Sequence, residues 1–423
     1  MKILHTADLH LGQILYQYYD RIDEHEHFFS QLVQWCDEYT PDALVISGDL
    51  FDISQPSAST KEHFNKTIAN IHRQFPHMAI VATAGNHDSA SRIEADSTVW
   101  DLSGVTLVGH GPSDRLLQQP DWQKRFVVEQ PSGFLVAMPY MANHRPDLWQ
   151  SLIDYVGQHN DRNLPVVMMG HLAVAGGDFL GHSNIGTLRT QAIDTLGNGY
   201  DYLALGHIHR PQTIGYPIDD EWKEESDYHA GVARYSGSAL HVSCDEAYPH
   251  SVSLVDIDQH GGKVHLKRLR IDELRHFYTI PDEKHEAAKT ADEVLGWVDD
   301  FCTTYKKGYI RLRIDYSAPL PPDFVQSIYT RLEATNDEVR FNPKTIWEGA
   351  NPTVTQDDVS FDLAELQQMD DPFLIIERLL DNYPQFNKEE LENDFKTTIR
   401  EELRHIDEEV SVKSKKVNGN ETA

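Results

Sequence analysis

Over its first 270 or so residues the chain repeats one pattern, a short apolar and β-branched run that ends in Gly, Asp, His or Asn. Each repeat predicts a strand followed by a polar loop. Lys2–Ala7 leads into Asp8-Leu9-His10, and Ala43–Ser47 into Gly48-Asp49-Leu50-Phe51-Asp52. Met78–Ala84 ends in Gly85-Asn86-His87-Asp88, Val166–Met169 in Gly170-His171, and Tyr202–Leu205 in Gly206-His207-Ile208-His209. Between these runs apolar residues recur at helical spacing, with Phe28, Phe29, Leu32, Val33 and Cys36 on one face and Phe64, Ile68, Ile71 and Phe75 on another. Strands alternating with helices predict an α/β layered domain with polar side chains at the strands' carboxyl ends, where such sheets bind ligands. Leu135–Met138, Val252–Ile257 and Val264–Leu269 are strands not all separated by helices, so a mixed sheet or a pair of sheets is expected. The acidic, apolar-poor stretch 216–230 is expected to be a solvated insertion loop.

The pattern changes near residue 275. Phe277–Ile280, Tyr309–Ile314 and Val339–Phe341 predict strands, and Ala291–Thr304 and Pro322–Glu333 predict helices, which together make a small α+β domain over 275–350. A polar linker begins at 351, and helical stretches near 362–382 and 388–409 follow, the first with an apolar stripe from Phe361 to Leu380. Residues 411–423 are expected to be a disordered tail.

A length of 423 residues allows two or three domains, each able to bury its own core. Cys36, Cys244 and Cys302 are far apart and odd in number, which argues against a disulfide framework or a thiolate metal site and for a reducing cytoplasm. No run approaches the ~18 apolar residues of a membrane span. The formal net charge is −30. That argues against a chain coating itself in nucleic acid, but 17 acidic against 5 basic side chains fall within 351–410, so DNA contact through local positive charge or bound cations remains open.

Singly, the loop residues have ordinary explanations: Asp-x-His can cap a turn, and Gly-Asn-His-Asp can be a turn tolerant of positive φ. Together, Asp8, His10, Asp49, Asn86, His171, His207 and His209 are seven potential metal ligands, each following a predicted strand. Carboxylate, imidazole and amide oxygen without thiolate suit Mn²⁺ first, with Fe or Zn as alternatives. Seven ligands exceed the needs of one ion and suit two, and a pair of cations about 3.5–4 Å apart favours in-line displacement at phosphorus.

Asp-x-His, Gly-Asp, Gly-Asn-His-Asp, Gly-His and Gly-His-x-His in this order resemble the calcineurin-like metallophosphoesterase superfamily. Within it, His5-Thr6-Ala7-Asp8-Leu9-His10-Leu11-Gly12, Gly85-Asn86-His87-Asp88-Ser89-Ala90-Ser91-Arg92 and Tyr235-Ser236-Gly237-Ser238 are similar to bacterial DNA-break nuclease subunits. The resemblance implies a four-layer core of two β-sheets flanked by helices over 1–274, a DNA-capping domain over 275–350 and C-terminal helices that bind a partner. It further implies one ion on Asp8, His10, Asp49 and His209, and a second on Asp49, Asn86, His171 and His207. His87 would be catalytic, protonating the departing oxygen, with Asp88 orienting its imidazole. Relatives outside bacteria carry histidine where this chain has Asp52. Arg92 is open between a phosphate contact and an ion pair with a carboxylate such as Glu94, and Lys306, Lys307, Arg311 and Arg313 between a DNA contact and a solvated face. The implied partners are DNA, an SMC/ABC-type ATPase subunit and a second copy, as a homodimer within a heterotetramer. The implied activities are 3′–5′ double-strand exonuclease and single-strand or hairpin endonuclease. A stand-alone phosphoesterase acting on a nucleotide or phosphoprotein is the alternative. A non-catalytic scaffold has no need of this ligand set.

Overall fold

The computed structural model describes residues 1–348 apart from 17, 102, 180–189, 219–222, 244–245, 247, 283, 305–306, 316, 319 and 336–337. The expected linker, partner-binding helices and tail of 351–423 lie outside the described residues, as do Cys244 and Lys306. In chain order the elements are β1 (Lys2–Thr6), β2 (Ile14–Leu15), β3 (Tyr19–Asp20), α1 (Ile22–Tyr39), β4 (Ala43–Ser47), α2 (Ala58–Gln74), β5 (Ala79–Thr83), α3 (Ala90–Asp101), β6 (Val105–Val108), α4 (Asp114–Leu117), β7 (Val127–Gln130), β8 (Gly133–Ala137), α5 (Pro146–His159), β9 (Val166–His171) and β10 (Tyr202–Gly206). There follow β11 (Gln212–Thr213), β12 (Glu225–His229), β13 (Val232–Tyr235), β14 (Ser251–Ile257), β15 (Lys263–Arg270), β16 (Phe277–Ile280), α6 (Ala291–Thr304), β17 (Gly308–Asp315), α7 (Phe324–Glu333) and β18 (Val339–Glu348).

Two mixed sheets form the centre. The first runs β12-β15-β14-β1-β4-β5-β6 and the second β11-β13-β10-β9-β8-β7. Their central strands β4, β5, β8, β9 and β10 are buried on both faces, which is why the sequence shows continuous apolar runs there rather than alternation. Ile3, Val45 and Val81 of the first sheet meet Leu135, Val167, Met169 and Ala204 of the second, whose other face, with Val136, Met168 and Leu203, lies with Leu148, Trp149 and Leu152 of α5 in the same core. The opposite face of the first sheet, with Leu4, Leu44, Ile46 and Ile80, packs on Phe28 and Leu32 of α1 and Phe64 and Ile68 of α2. The result is the expected α/β arrangement of two sheets flanked by helices. Helix α2 starts where the Ser57 side chain accepts the Thr60 N–H at 3.1 Å. Helix α5 has proline in its first turn, where no N–H is needed.

The stretch 216–230 departs from expectation. Residues 225–229 form edge strand β12, paired antiparallel with β15, and their alternating exposure explains the low apolar content. The third sheet, β16-β17-β18, is parallel throughout, with α6 and α7 as its crossovers over a core that includes Val298, Phe301, Ile310, Ile328 and Phe341. A buried polar network joins it to α1: Glu24 accepts the Tyr309 hydroxyl at 2.5 Å, Arg340 Nη1 at 3.1 Å and Arg21 Nη2 at 2.6 Å, and Arg275 pairs with Asp23. Of the basic residues near β17, Arg313 is buried and reaches Glu348 at 3.3 Å, and Lys307 reaches Glu338 at 3.3 Å. Cys36 and Cys302 are free thiols. Among the described residues no helix is long and apolar enough to cross a membrane.

Candidate metal centre

β1, β4 and β5 are parallel neighbours in one sheet, and β9 and β10 are parallel neighbours in the other. Their carboxyl ends therefore deliver five loops to one edge of the sandwich, and there the sheets approach closely. The Ser47 hydroxyl donates to the Ala204 carbonyl at 3.0 Å, and the Ser47 carbonyl accepts from His171 Nδ1 at 2.9 Å. Glycine is required at this closure. A Cβ on Gly206 would stand 1.9 Å from the Ser47 carbonyl oxygen, and one on Gly85 would stand 2.1 Å from Asp49 Oδ1. Asp8, His10, Asp49 and His207 all have positive φ, at 51°, 46°, 48° and 97°. This conformation is costly for non-glycine residues and clusters at functional sites.

All seven anticipated ligands come together. Asp8, His10 and His209 offer atoms within 4.8 Å of one another, as do Asp8, Asp49 and His171. Two imidazoles converge on the amide oxygen of Asn86, His171 Nε2 at 3.0 Å and His207 Nδ1 at 2.8 Å. His171 Nε2 is also 3.3 Å from Asp49 Oδ2. His10, Asp49 and His87 form a third group, which puts His87 at the rim of the same cluster. A cavity of about 640 Å³ opens over these residues, with Asp52, Tyr140 and His144 also in its walls.

The electrostatics fit a divalent cation. Both ring nitrogens of buried His10 lack an aligned hydrogen bond, while carboxylate oxygens of Asp52 and Asp49 stand 3.2 and 3.8 Å away. Burial opposes protonation of His10, but Asp52, Asp49 and Asp8 outweigh it and raise the ring to about 9. His171 is raised to about 9 in the same way, burial being overcome by Asp49 and Asp8. Burial, helped by the charge of Asp49, lifts Asp8 to about 7 against the pull of His171. Burial also works against the charge of Asp49, yet His171 and His10 hold its carboxyl well below the usual range. The protons held here stand where cations would take their place. Oxygen and imidazole donors without thiolate suit a hard or borderline divalent metal.

Asp88 does not reach the imidazole it was expected to orient. Its buried carboxylate accepts the backbone N–H groups of Leu50, Phe51 and Gly85 at 3.0, 2.9 and 2.8 Å, tying the Gly-Asp loop to the Gly-Asn-His-Asp loop. His87 Nδ1 instead meets the Asp52 carbonyl at 2.7 Å, and the His87 N–H donates to Asp49 Oδ1 at 2.8 Å. Asp52 thus serves both histidines, through its side chain at His10 and its carbonyl at His87. Arg92 is exposed, and Glu94 accepts the backbone N–H groups of Gly109 and His110 and pairs with Arg125. Sequence reasoning missed Glu246. Its Oε1 is 2.8 Å from His209 Nδ1, its Oε2 accepts the Val242 N–H at 3.0 Å, and only 1 % of it is exposed. No periodicity marks this position; the one available signal was a carboxylate within reach of Gly-His-x-His.

The fold and this donor set define a class, and sequence comparison agrees: the profile of the calcineurin-like phosphoesterases matches residues 1–211, and the chain belongs to that family. Among curated proteins it is similar to the SbcD subunit of the SbcCD nuclease of Escherichia coli strain K12, 29% identical over 287 residues, or 60% of this chain and 65% of that protein. The protein of the same name from Rhodobacter capsulatus is 30% identical over 284 residues, 61% of this chain and 66% of the relative. That of Bacillus subtilis is 27% identical over 326 residues, 71% and 76%. The match to the first two thus spans a little under two thirds of their length.

Proposed function

We propose that the chain is the DNA nuclease subunit of a cytoplasmic SbcCD-type complex, a Mn²⁺-dependent phosphodiesterase with 3′–5′ double-strand exonuclease and single-strand or hairpin endonuclease activity in replication, recombination and repair. The observation that carries it is the convergence of seven ligand-type side chains from five strand ends beneath one open cavity. The similarity to SbcD proteins, which are nuclease subunits, supports DNA as the substrate.

In this reading Asp8, His10, Asp49 and His209 would hold one divalent ion, and Asp49, Asn86, His171 and His207 would hold the other. When bound, the ions neutralise phosphate oxygens and lower the cost of charge developing at phosphorus. His87 stands exposed at the rim with Nδ1 held by the Asp52 carbonyl, which leaves Nε2 to pass a proton to the departing sugar oxygen. Asp88 acts by position, fixing the two loops that carry Asp49 and Asn86. The β16-β17-β18 unit caps the DNA, and the segment 351–410 grips an SMC/ABC-type ATPase subunit of the SbcC kind, in a heterotetramer built on a homodimer of this chain.

The test is Mn²⁺-dependent digestion of an end-labelled linear duplex beside a chromogenic phosphodiester, comparing wild type with His87→Ala. Wild type cleaves both. The variant binds Mn²⁺ normally and loses ~10²–10⁴-fold in DNA cleavage, the usual worth of a positioned acid. Hydrolysis of the small diester without any DNA cleavage, even with the ATPase partner added, would overturn DNA as the substrate.

A further inference from the structure

A second cavity, of about 180 Å³, lies apart from the ligand cluster, and its walls include Arg210, Thr213, Ser226, Tyr228, Arg234 and Arg268. Arg234 projects from β13 and bridges the two large sheets: its Nε donates to Ser253 Oγ at 3.0 Å and its Nη1 to Thr213 Oγ1 at 2.9 Å. Only 4 % of it is exposed, yet Nη2 has no hydrogen-bond partner among the described residues.

The other buried arginines show what is missing. Arg21 and Arg340 reach Glu24 at 2.6 and 3.1 Å, Arg275 reaches Asp23 at 2.6 Å, and Arg313 reaches Glu348 at 3.3 Å. Arg234 alone of these five has only neutral hydroxyl acceptors among the described residues. The neighbouring His5 offers no negative charge, because burial and the Arg234 charge itself lower it to about 3 and keep it neutral. A buried cation without an anion is expensive, and the guanidinium cannot shed its proton to escape the cost. Here it borders a cavity with hydroxyl groups in its walls. Arg268 and Arg210 add charge there, Arg210 being paired with Asp178 and lying over the Tyr248 ring.

We propose that this cavity is a binding site for a phosphate group, with Arg234 at its floor, hydroxyls of Thr213, Ser226 and Tyr228 on its walls, and Arg268 completing it. A tetrahedral oxyanion matches this donor set: the guanidinium supplies a charge-assisted hydrogen bond and the hydroxyls rotate to meet the remaining oxygens. The phosphate comes either as a free phosphate or phosphomonoester, or as one phosphate of a nucleic-acid strand. The site is separate from the metal cluster and does not depend on the proposed nuclease activity.

The test is isothermal titration of inorganic phosphate into the full-length, metal-free protein at constant ionic strength. Wild type binds phosphate at one site, Arg234→Met binds at least ~10-fold more weakly, as expected for loss of a charged hydrogen bond, and Mn²⁺ binding is unchanged in that variant. Arg268→Gln, at a less buried position, shows a smaller loss and keeps the proposal testable if Arg234→Met fails to fold. Displacement of the phosphate by a short duplex identifies a strand phosphate as the source, and its persistence identifies a free phosphate or phosphomonoester. Three results overturn the proposal: no phosphate binding by wild type, undiminished binding by the Arg234 and Arg268 variants, or loss of binding in His207→Ala, which would put the phosphate at the metal centre.

Discussion

Replacing Glu246 with glutamine keeps its volume and removes one acceptor. In the native chain the two carboxylate oxygens serve different donors, Oε1 meeting His209 Nδ1 at 2.8 Å and Oε2 the Val242 N–H at 3.0 Å, in a spot 1 % exposed. The amide can satisfy only one of them. If its NH₂ replaces Oε2, the Val242 N–H is left buried without an acceptor, at a cost of about 1–3 kcal/mol. If it replaces Oε1, it donates to Nδ1 and forces the ring proton onto Nε2, the nitrogen left for a cation. Either way an ion on His209, as proposed, should bind ~10–100-fold more weakly, the usual cost of losing a carboxylate behind a ligating imidazole, or about 1.4–2.7 kcal/mol. A Mn²⁺ titration of metal-free protein followed by calorimetry reads this directly. Two binding events are expected, one weakened in Glu246→Gln and one unchanged. Unchanged affinity in both events would refute the assignment of Glu246 as the group that sets the His209 tautomer.

Three further outcomes follow from distances and charges. His10 and His171 are raised to about 9 in the absence of metal, so near pH 7.5 both carry protons that a cation must displace. Loading should therefore release on the order of two protons, and affinity should fall as pH falls; calorimetry in two buffers of different ionisation enthalpy checks this, and a heat independent of buffer argues against it. Glu24→Ala strands Arg21 and Arg340 in the buried joint between α1 and the third sheet and should cost ~3–5 kcal/mol by denaturant unfolding; a loss below ~1 kcal/mol would mean that joint is soft. Gly206→Ala places a Cβ 1.9 Å from the Ser47 carbonyl, so the sheets must part and Mn²⁺ binding should weaken, whereas Gly157→Ala on α5, with nothing within 4 Å, should keep Mn²⁺ affinity unchanged.

The sequence was most legible where chemistry followed regular structure. Strands buried on both faces make unbroken apolar runs, and each run stopped at a glycine or a ligand, so the five loops and all seven candidate ligands could be found without coordinates. Legibility failed where a role depends on atoms the sequence does not position. Asp88 sits beside His87 in the chain, yet its carboxylate turns to three backbone N–H groups, and a carbonyl from Asp52, 35 residues away, takes the imidazole. Glu246 belongs to irregular chain, where no period separates a buried carboxylate from a surface one. Arg21, Glu24 and Arg340 were hidden for a different reason: their charges suggest solvent until the third sheet covers them. Strand β12 was hidden because an edge strand with one exposed face needs few apolar residues.

The metal centre draws its donors from positions 8 to 209, and this spacing has a consequence during synthesis. The three close groups of potential ligands are completed in turn by His87, His171 and His209. At about 5–20 residues per second, His209 is added on the order of 10–40 s after Asp8. Until then the growing chain holds loose carboxylates and imidazoles that can capture a cation only as weak, open chelates. A product cut short anywhere before β10 never gains His207 or His209. Under the proposed assignment, truncation before β10 therefore leaves fragments without a complete ligand set.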